Sequence, residues 1–231
     1  MFPPLAERLA RAGFVAVTFN MSGCGVDDAG EFTLPERFGH NTFSAELNDI
    51  RAVVKELRSG KLGVAPPTRL GLLGHSRGGG MSVIEAAEES RVAALVTWSA
   101  ISHVNRWPAL KEEWRKRGKT DIVNTRTGQV LPLYTDVLDD IEAHGGNTLD
   151  IRAAASRVRV PWLIVHGAVD ESVPVDEARA LASASGRAST ELLIVEGGGH
   201  TFGAAHPFKG FTAELERATD ASVAFLGKHL T

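Results

Sequence analysis

The sequence is poor in cysteine and has no surplus of positive charge, and each shortage excludes a class of protein. Cys24 is the single cysteine among 231 residues, so neither an internal disulfide nor a cysteine-based zinc cluster can form. Lys and Arg number 25 against 28 Asp and Glu, for a formal net charge of -3. This balance provides no positive electrostatic field to attract the phosphate backbone of a nucleic acid. We therefore expect no nucleic-acid partner and no cysteine-bound metal.

Long apolar runs are also missing. No stretch approaches the roughly 20 apolar residues that cross a bilayer, and the first residues, MFPPLAERLA, lack the basic region and apolar core of a signal peptide. A chain of this length that is 43% hydrophobic and 23% charged can bury a sizeable core. The sequence therefore predicts a soluble, cytoplasmic protein with no membrane contact.

Five short apolar runs recur along the chain and predict buried strands. They cover residues 14–19, 70–73, 93–98, 162–165 and 192–195. None alternates strictly between apolar and polar residues, which is typical of strands covered on both faces by helices. Helical periodicity fills most of the intervals, for example from Ser44 to Gly60, where the glycine ends the helix. This alternation predicts an α/β fold with a doubly wound, mostly parallel sheet.

The interval from Ser99 to Arg159 is much longer than the usual crossover between two parallel strands. Its local patterns predict helices over 108–117 and 134–143 and a hairpin that turns at Thr127 and Gly128. We therefore expect a single domain over residues 1–231, with a helical cap inserted at about 103–150.

A serine between two glycines follows the second apolar run, in RLGLLGHSRGGGMSV. A strand, a tight turn and a helix are the context in which a G-x-S-x-G motif carries a nucleophile. Ser76 would occupy a strained turn with its hydroxyl at the sheet edge. Positions 74 and 78 would then require small residues, here Gly74 and Gly78, to avoid steric clashes within the turn. The amide of Arg77, at the start of the helix, would point at a developing oxyanion. A phosphate-binding loop is the alternative, but neither the Gly-Lys-Ser/Thr nor the G-x-G-x-x-G spacing occurs.

A serine hydroxyl is a poor nucleophile unless a histidine base and an orienting carboxylate assist it. Asp170 follows the fourth apolar run, in WLIVHGAVDESVPV, and His200 follows the last, in ELLIVEGGGHTFG. The order serine, aspartate, histidine is the one that the α/β-hydrolase topology requires. Glu171 and Asp176 remain alternatives for the acid. The residues thus predict a catalytic triad of Ser76, His200 and Asp170.

The segments GHSRGG, HGAVDESVPV and GGGHTFGAAHPF resemble those of α/β-hydrolases, in particular the dienelactone-hydrolase-like and prolyl-oligopeptidase-like branch. The resemblance covers essentially the whole chain. It implies Ser76 as nucleophile, Asp170 as acid, His200 as base and Arg77 as donor of one oxyanion amide, with no metal or organic cofactor. True dienelactone hydrolases have a cysteine at the turn, so their substrate is not carried over.

The resemblance also implies a strand and a glycine-rich loop before the first helix, whereas this sequence starts inside that helix. The loop would supply the second oxyanion amide, and the strand would lie between those at 14–19 and 70–73. We therefore expect the N-terminal strands of the usual fold to be absent. We also expect the chain to be a shortened version of a longer hydrolase with an incomplete oxyanion hole.

The expected reaction is hydrolysis of a carboxylic ester or related acyl bond in a small molecule, through an acyl-enzyme. A peptidase or a thioesterase would use the same triad, so both activities remain open. A non-catalytic binding or scaffold protein with this fold is the alternative of another class. The oligomeric state is open as well.

Overall fold

The computed structural model describes residues 1–123, 128–185 and 189–230. The helices are α1 (Phe2–Arg11), α2 (Pro35–Gly39), α3 (Phe43–Ser59), α4 (Ser76–Glu88), α5 (Lys111–Arg117), α6 (Asp136–His144), α7 (Ile151–Arg157), α8 (Val175–Ser185) and α9 (Ala213–Leu230). The strands are β1 (Leu70–His75), β2 (Val92–Trp98), β3 (Lys119–Val123), β4 (Val130–Tyr134), β5 (Trp162–Gly167) and β6 (Thr190–Val195).

Four strands form one parallel sheet in the order β1-β2-β5-β6. The register pairs His75 with Trp98 and Trp98 with Val165, and it pairs Gly167 with Val195 on the far side. The carboxyl ends of all four strands therefore lie at one edge, where ligands of open α/β sheets bind. The predicted α/β fold is confirmed, and four of the five predicted strands are present.

Helices cover both faces of this sheet. On one face, Val96 and Trp98 of β2 pack with residues of α1 and α9, and the indole of Trp98 donates a 2.9 Å hydrogen bond to Ser222 Oγ. On the other face, Leu95 lies in a larger core with residues of α3, α4, α7 and α8. Because successive strand residues point to opposite faces, β2 is apolar on both faces except at the buried Thr97, which explains the absence of strict alternation in its sequence.

The predicted strand at residues 14–19 is wrong. The backbone there pairs with no other strand among the described residues, and Val15, Val17 and Phe19 are 71%, 40% and 42% exposed. A strand requires a neighbour for its backbone hydrogen bonds, and β1 forms the edge of the sheet. Within the described residues before Leu70, β pairing is limited to an isolated bridge between Val26 and Phe32.

The segment between β2 and β5 contains the elements predicted for the insertion. α5 and α6 occupy the predicted helical regions with somewhat different bounds. β3 and β4 form the predicted antiparallel hairpin; Gly128 belongs to its connection, whereas Thr127 lies outside the described residues. Leu131 and Leu133 of β4 are buried. α7 was not predicted; it begins at an Asp150 N-cap, whose carboxylate accepts from the amide of Ala153.

Candidate active site

Ser76 stands at the junction of β1 and α4, at the edge where the four strands end. Its φ of 55° lies in the left-handed region, which costs a residue other than glycine roughly 1 to 3 kcal/mol. The surrounding structure holds this turn, since the amide of Ile101 donates a 3.2 Å hydrogen bond to the Ser76 carbonyl oxygen. The strain is the result expected for a serine presented on a sharp strand-to-helix turn.

The glycines around this turn differ in their steric surroundings. A Cβ added at Gly74 would lie 2.4 Å from the Gly78 carbonyl oxygen and 2.5 Å from Ser82 Oγ. A Cβ at Gly79 would lie 2.6 Å from Ala100 Cβ. At Gly78, by contrast, the nearest group is the methyl of Met21 at 3.9 Å. The sequence-based requirement for a small residue is therefore supported at Gly74 and wrong at Gly78.

This difference yields a paired prediction. We expect Gly74→Ala to lower the free energy of unfolding by about 1 to 3 kcal/mol through overpacking against backbone. We expect Gly78→Ala to leave stability unchanged or to raise it by up to about 1 kcal/mol, because alanine favours the helix interior. Urea unfolding of both variants measures the two effects. Equal destabilisation by the two changes would contradict the steric account.

The structure brings the side chains of the three sequence-predicted residues into one hydrogen-bonded chain. The Ser76 hydroxyl lies 3.0 Å from His200 Nε2. His200 Nδ1 lies 2.8 Å from Asp170 Oδ2 and 3.1 Å from Oδ1. The three residues follow β1, β5 and β6, whose carboxyl ends share an edge. An imidazole placed between a hydroxyl and a carboxylate can accept a proton on one nitrogen while the other stays bonded.

The carboxylate of Asp170 is buried and saturated with donors. The residue is 7% exposed, and its Oδ1 accepts 2.9 Å hydrogen bonds from the amides of Ser172 and Val173. Burial by itself raises the pKa of Asp170, but the hydrogen bonds from His200 and from the Val173 amide outweigh it and lower the pKa to about 2. Asp170 is therefore ionised at neutral pH and can stabilise an imidazolium.

The lowered pKa of Asp170 predicts an acid-sensitive contribution to stability. The folded pKa, about 2, lies below the ordinary value of 3.8, so the unfolded chain binds the proton more tightly. The contribution is fully present above the ordinary value and is lost as the pH falls towards 2. The shift corresponds to about 2 kcal/mol. In urea titrations between pH 5 and 2.5, we expect Asp170→Asn to lose less stability than the wild type, by about two-thirds of that amount. Parallel losses in the two proteins would contradict the assignment.

His166 supports the turn that carries this carboxylate. The ring is fully buried, and burial lowers the pKa of His166. Its Nε2 donates a 2.8 Å hydrogen bond to the Val173 carbonyl oxygen and lies 3.5 Å from Asp170 Oδ2. Since a carbonyl oxygen only accepts, Nε2 carries a proton. His166 therefore stabilises the turn beside Asp170 through its hydrogen bond to Val173.

The loop that carries His200 is held at several points, although three glycines, residues 197–199, precede the histidine. The Val169 amide donates to the Gly198 carbonyl oxygen at 3.0 Å. A Cβ at Gly167 would lie 2.2 Å from that same oxygen, so the loop crosses β5 in direct backbone contact. After His200, Phe202 is fully buried and packs edge-on against Trp98 with ring centroids 5.4 Å apart. These contacts fix the base relative to the sheet.

Arg77 follows Ser76 at the start of α4, where backbone amides lack partners within the helix. Its guanidinium forms an ion pair with Glu46 of α3, at 3.2 Å from Nε and 3.1 Å from Nη2. The same guanidinium lies 4.2 Å from the centre of the Phe43 ring. Asn41 donates a 2.7 Å hydrogen bond to Glu46. The side chain of Arg77 thus faces α3, while its amide remains at the helix start beside Ser76.

Sequence reasoning missed Glu46 and Asn41, because their contacts to the turn join residues that are distant in the chain. Glu46 and Arg77 are 31 positions apart, and no local pattern marks the pair. His75 adjoins Ser76, but its contact with His200 spans 125 positions. No group of three or more His, Cys, Asp or Glu suited to a metal ion occurs in the described part of the chain. Nor does any described helix have the length and apolarity needed to cross a membrane.

Comparison with known proteins gives a consistent family. The sequence profile of the Alpha/beta hydrolase family matches residues 1–214. The chain is 25% identical over 192 residues to 2,6-dihydropseudooxynicotine hydrolase of Paenarthrobacter nicotinovorans; the match covers 81% of this chain and 45% of that protein. The chain therefore spans about half the length of this curated relative.

Solved structures share the fold at low identity. A structure of the metagenome-derived lipolytic enzymes LipS and LipT matches with a TM-score of 0.73 and 21% identity, over 98% of this chain and 87% of that one. Paleococcus ferrophilus monoacylglycerol lipase matches with a TM-score of 0.68 and 17% identity, over 99% and 89% of the two chains.

Proposed function

The chain belongs to the alpha/beta hydrolase family, and we propose that it hydrolyses a carboxylic ester or related acyl bond in a small molecule. In this proposal Ser76 is the nucleophile, His200 the general base and Asp170 the orienting acid. The observation that carries it is the unbroken hydrogen-bonded chain from the Ser76 hydroxyl through His200 to the Asp170 carboxylate. The curated relative is named a hydrolase, and the two solved structures are named as lipolytic enzymes; both kinds of name support hydrolysis, and the second supports an ester as substrate.

The first half of the reaction follows from the 3.0 Å contact between Ser76 Oγ and His200 Nε2. As Oγ attacks the substrate carbonyl carbon, its proton passes to Nε2. Asp170 accepts a hydrogen bond from the Nδ1–H group of His200, so the lone pair of Nε2 faces Ser76. The same carboxylate stabilises the ring once it becomes an imidazolium. Collapse of the tetrahedral intermediate breaks the bond to the leaving alcohol, which takes the proton from Nε2 and leaves an acyl-serine.

Water reverses these roles in the second half. It attacks the acyl-serine while His200 accepts its proton, and the proton then returns to Ser76 Oγ as the acid departs. Negative charge develops on the substrate oxygen in both halves. We assign the Arg77 amide as one donor to that oxygen, because it stands at the start of α4, where the helix dipole favours negative charge.

We further propose that the chain is one domain in which residues 103–150 form a cap. Both cores pack on the same four-stranded sheet, which supports a single domain. The insertion begins just after Ala100 and Ile101, which contact the turn at Gly79 and Ser76. A segment that leaves the sheet at this point is well placed to cover a substrate bound at Ser76.

A fluorophosphonate probe tests the function directly, because it phosphonylates a serine only where a base activates the hydroxyl. We expect labelling of native protein at Ser76 and none of heat-unfolded protein. p-Nitrophenyl esters of increasing acyl length, the matching thioesters and peptide p-nitroanilides then separate esterase from thioesterase and peptidase. A native, folded protein that is neither labelled nor active would favour a non-catalytic binding or scaffold role.

A further inference from the structure

His75 joins the strand of the nucleophile to the loop of the base. It is the last residue of β1, immediately before Ser76. Its Nε2 lies 2.8 Å from the carbonyl oxygen of His200, and the two imidazole rings are 4.6 Å apart between centroids at an interplanar angle of 49°. The side chain next to the proposed nucleophile therefore contacts the proposed base through both its hydrogen bond and its ring face.

The chemistry of this hydrogen bond fixes its direction. A backbone carbonyl oxygen only accepts, so His75 Nε2 carries the hydrogen and donates it. His75 therefore holds the peptide group of His200 by donating this hydrogen bond.

The position of this hydrogen bond in the loop makes it important for the orientation of the His200 peptide group. The neighbouring carbonyls of Gly198 and Gly199 accept from the amides of Val169 and Phe202, whereas the carbonyl of His200 accepts from the His75 side chain. Gly197 has a φ of 72° and Gly199 has no atom within 4 Å of an added Cβ. Glycines permit several backbone conformations, so the orientation of the His200 peptide depends on its own hydrogen bond as well as on those of Gly198 and Gly199.

Phe2 of α1 supports His75 from another side. Its ring packs edge-on against the His75 ring with centroids 6.1 Å apart. His75 thus lies between the His200 ring and the Phe2 ring, which limits its side-chain rotamers. A donor held in this way fixes its acceptor more effectively than a solvent-exposed side chain would.

We propose that His75 is a positioning residue, which keeps His200 Nε2 at hydrogen-bonding distance from Ser76 by holding the His200 peptide group. This inference rests on the proposed function, because it assigns His200 as the base. Displacing a catalytic group by about 1 Å can lower turnover by about 100-fold. Loss of the His75 donor should therefore appear in kcat and leave substrate binding nearly unchanged.

Two substitutions separate the donor from the shape of the side chain. His75→Leu fills part of the same space but has no donor, and His75→Gln places an amide N–H near the position of Nε2. With a p-nitrophenyl ester, we expect His75→Leu to lower kcat by about 10- to 100-fold and to change KM by no more than about 2-fold. We expect His75→Gln to recover most of the lost kcat. The exposed His206 provides the matched control, and His206→Leu should retain wild-type kcat.

Two results would overturn the positioning role. One is wild-type kcat in His75→Leu; the other is an equal loss in His75→Leu and His75→Gln, which would assign the effect to packing. Active sites are counted by fluorophosphonate titration, so a smaller folded fraction does not imitate a lower kcat. Absence of labelling in the wild type would instead overturn the proposed function.

A readout that needs no turnover keeps the two proposals distinguishable. In protein with 15N-labelled histidine, NMR observes the hydrogen on His200 Nδ1, which is hydrogen-bonded to Asp170. We expect this signal in the wild type and in His75→Gln, and we expect exchange with solvent to broaden it in His75→Leu. The same signal in all three proteins would show that His75 does not position the base.

Discussion

Replacing Ser76 with alanine is expected to lower kcat for ester hydrolysis by about 10⁶-fold, the scale of loss when a triad nucleophile is removed. The substitution takes away the oxygen that attacks the substrate and that lies 3.0 Å from His200 Nε2. Initial rates with a p-nitrophenyl ester, measured with burst titration of the wild type, give the ratio. Fluorophosphonate labelling should disappear in the same variant.

Ser156→Ala is the matched control for this experiment. Ser156 is exposed on α7 and its hydroxyl donates to the Ala153 carbonyl oxygen, so the same chemical change is made away from the turn. We expect wild-type kcat from this variant. If Ser76→Ala retained more than about a tenth of the wild-type rate while remaining folded, the nucleophile would be another group.

Asp170→Asn is expected to lower kcat by about 10⁴-fold with little change in KM. The carboxylate accepts a hydrogen bond from His200 Nδ1–H and, through Oδ1, hydrogen bonds from the amides of Ser172 and Val173. An asparagine that kept its oxygen on those two amides would turn its NH₂ group towards His200. The ring would then expose a protonated Nε2 to Ser76 and could not accept the serine proton.

The sequence offers its own controls for the acid. Glu171 and Asp176 were the alternatives, and the structure places Asp176 on the surface, where it pairs with Arg179. We expect Asp176→Asn and Glu171→Gln to retain kcat within about 2-fold, as surface substitutions usually do. A loss in either one comparable to that of Asp170→Asn would reassign the acid.

The features that local sequence encodes were predictable. Short apolar runs bounded by turns located β1, β2, β5 and β6, and the glycine at position 60 located the end of α3, where its φ is 73°. The positions of Ser76, Asp170 and His200 followed from the same logic, because residues just after parallel strands meet at one edge of the sheet. Their catalytic roles remain the proposal to be tested.

Features that depend on a distant neighbour were not predictable. The run at residues 14–19 has the composition of a strand, but pairing depends on a second backbone that local composition does not reveal. The G-x-S-x-G pattern treats Gly74 and Gly78 alike, whereas only Gly74 lies against backbone. The contact between His75 and His200 depends on the path of a loop 125 positions later.

The ion pair between Glu46 and Arg77 bears on how this sequence can evolve. Removing one partner of such a largely buried pair leaves the other charge uncompensated, which costs about 3 to 5 kcal/mol in a protein whose whole stability is of order 5 to 15 kcal/mol. A mutation at either position therefore becomes tolerable once the second codon changes too. Among descendants of this gene, we therefore expect substitutions at positions 46 and 77 to occur together.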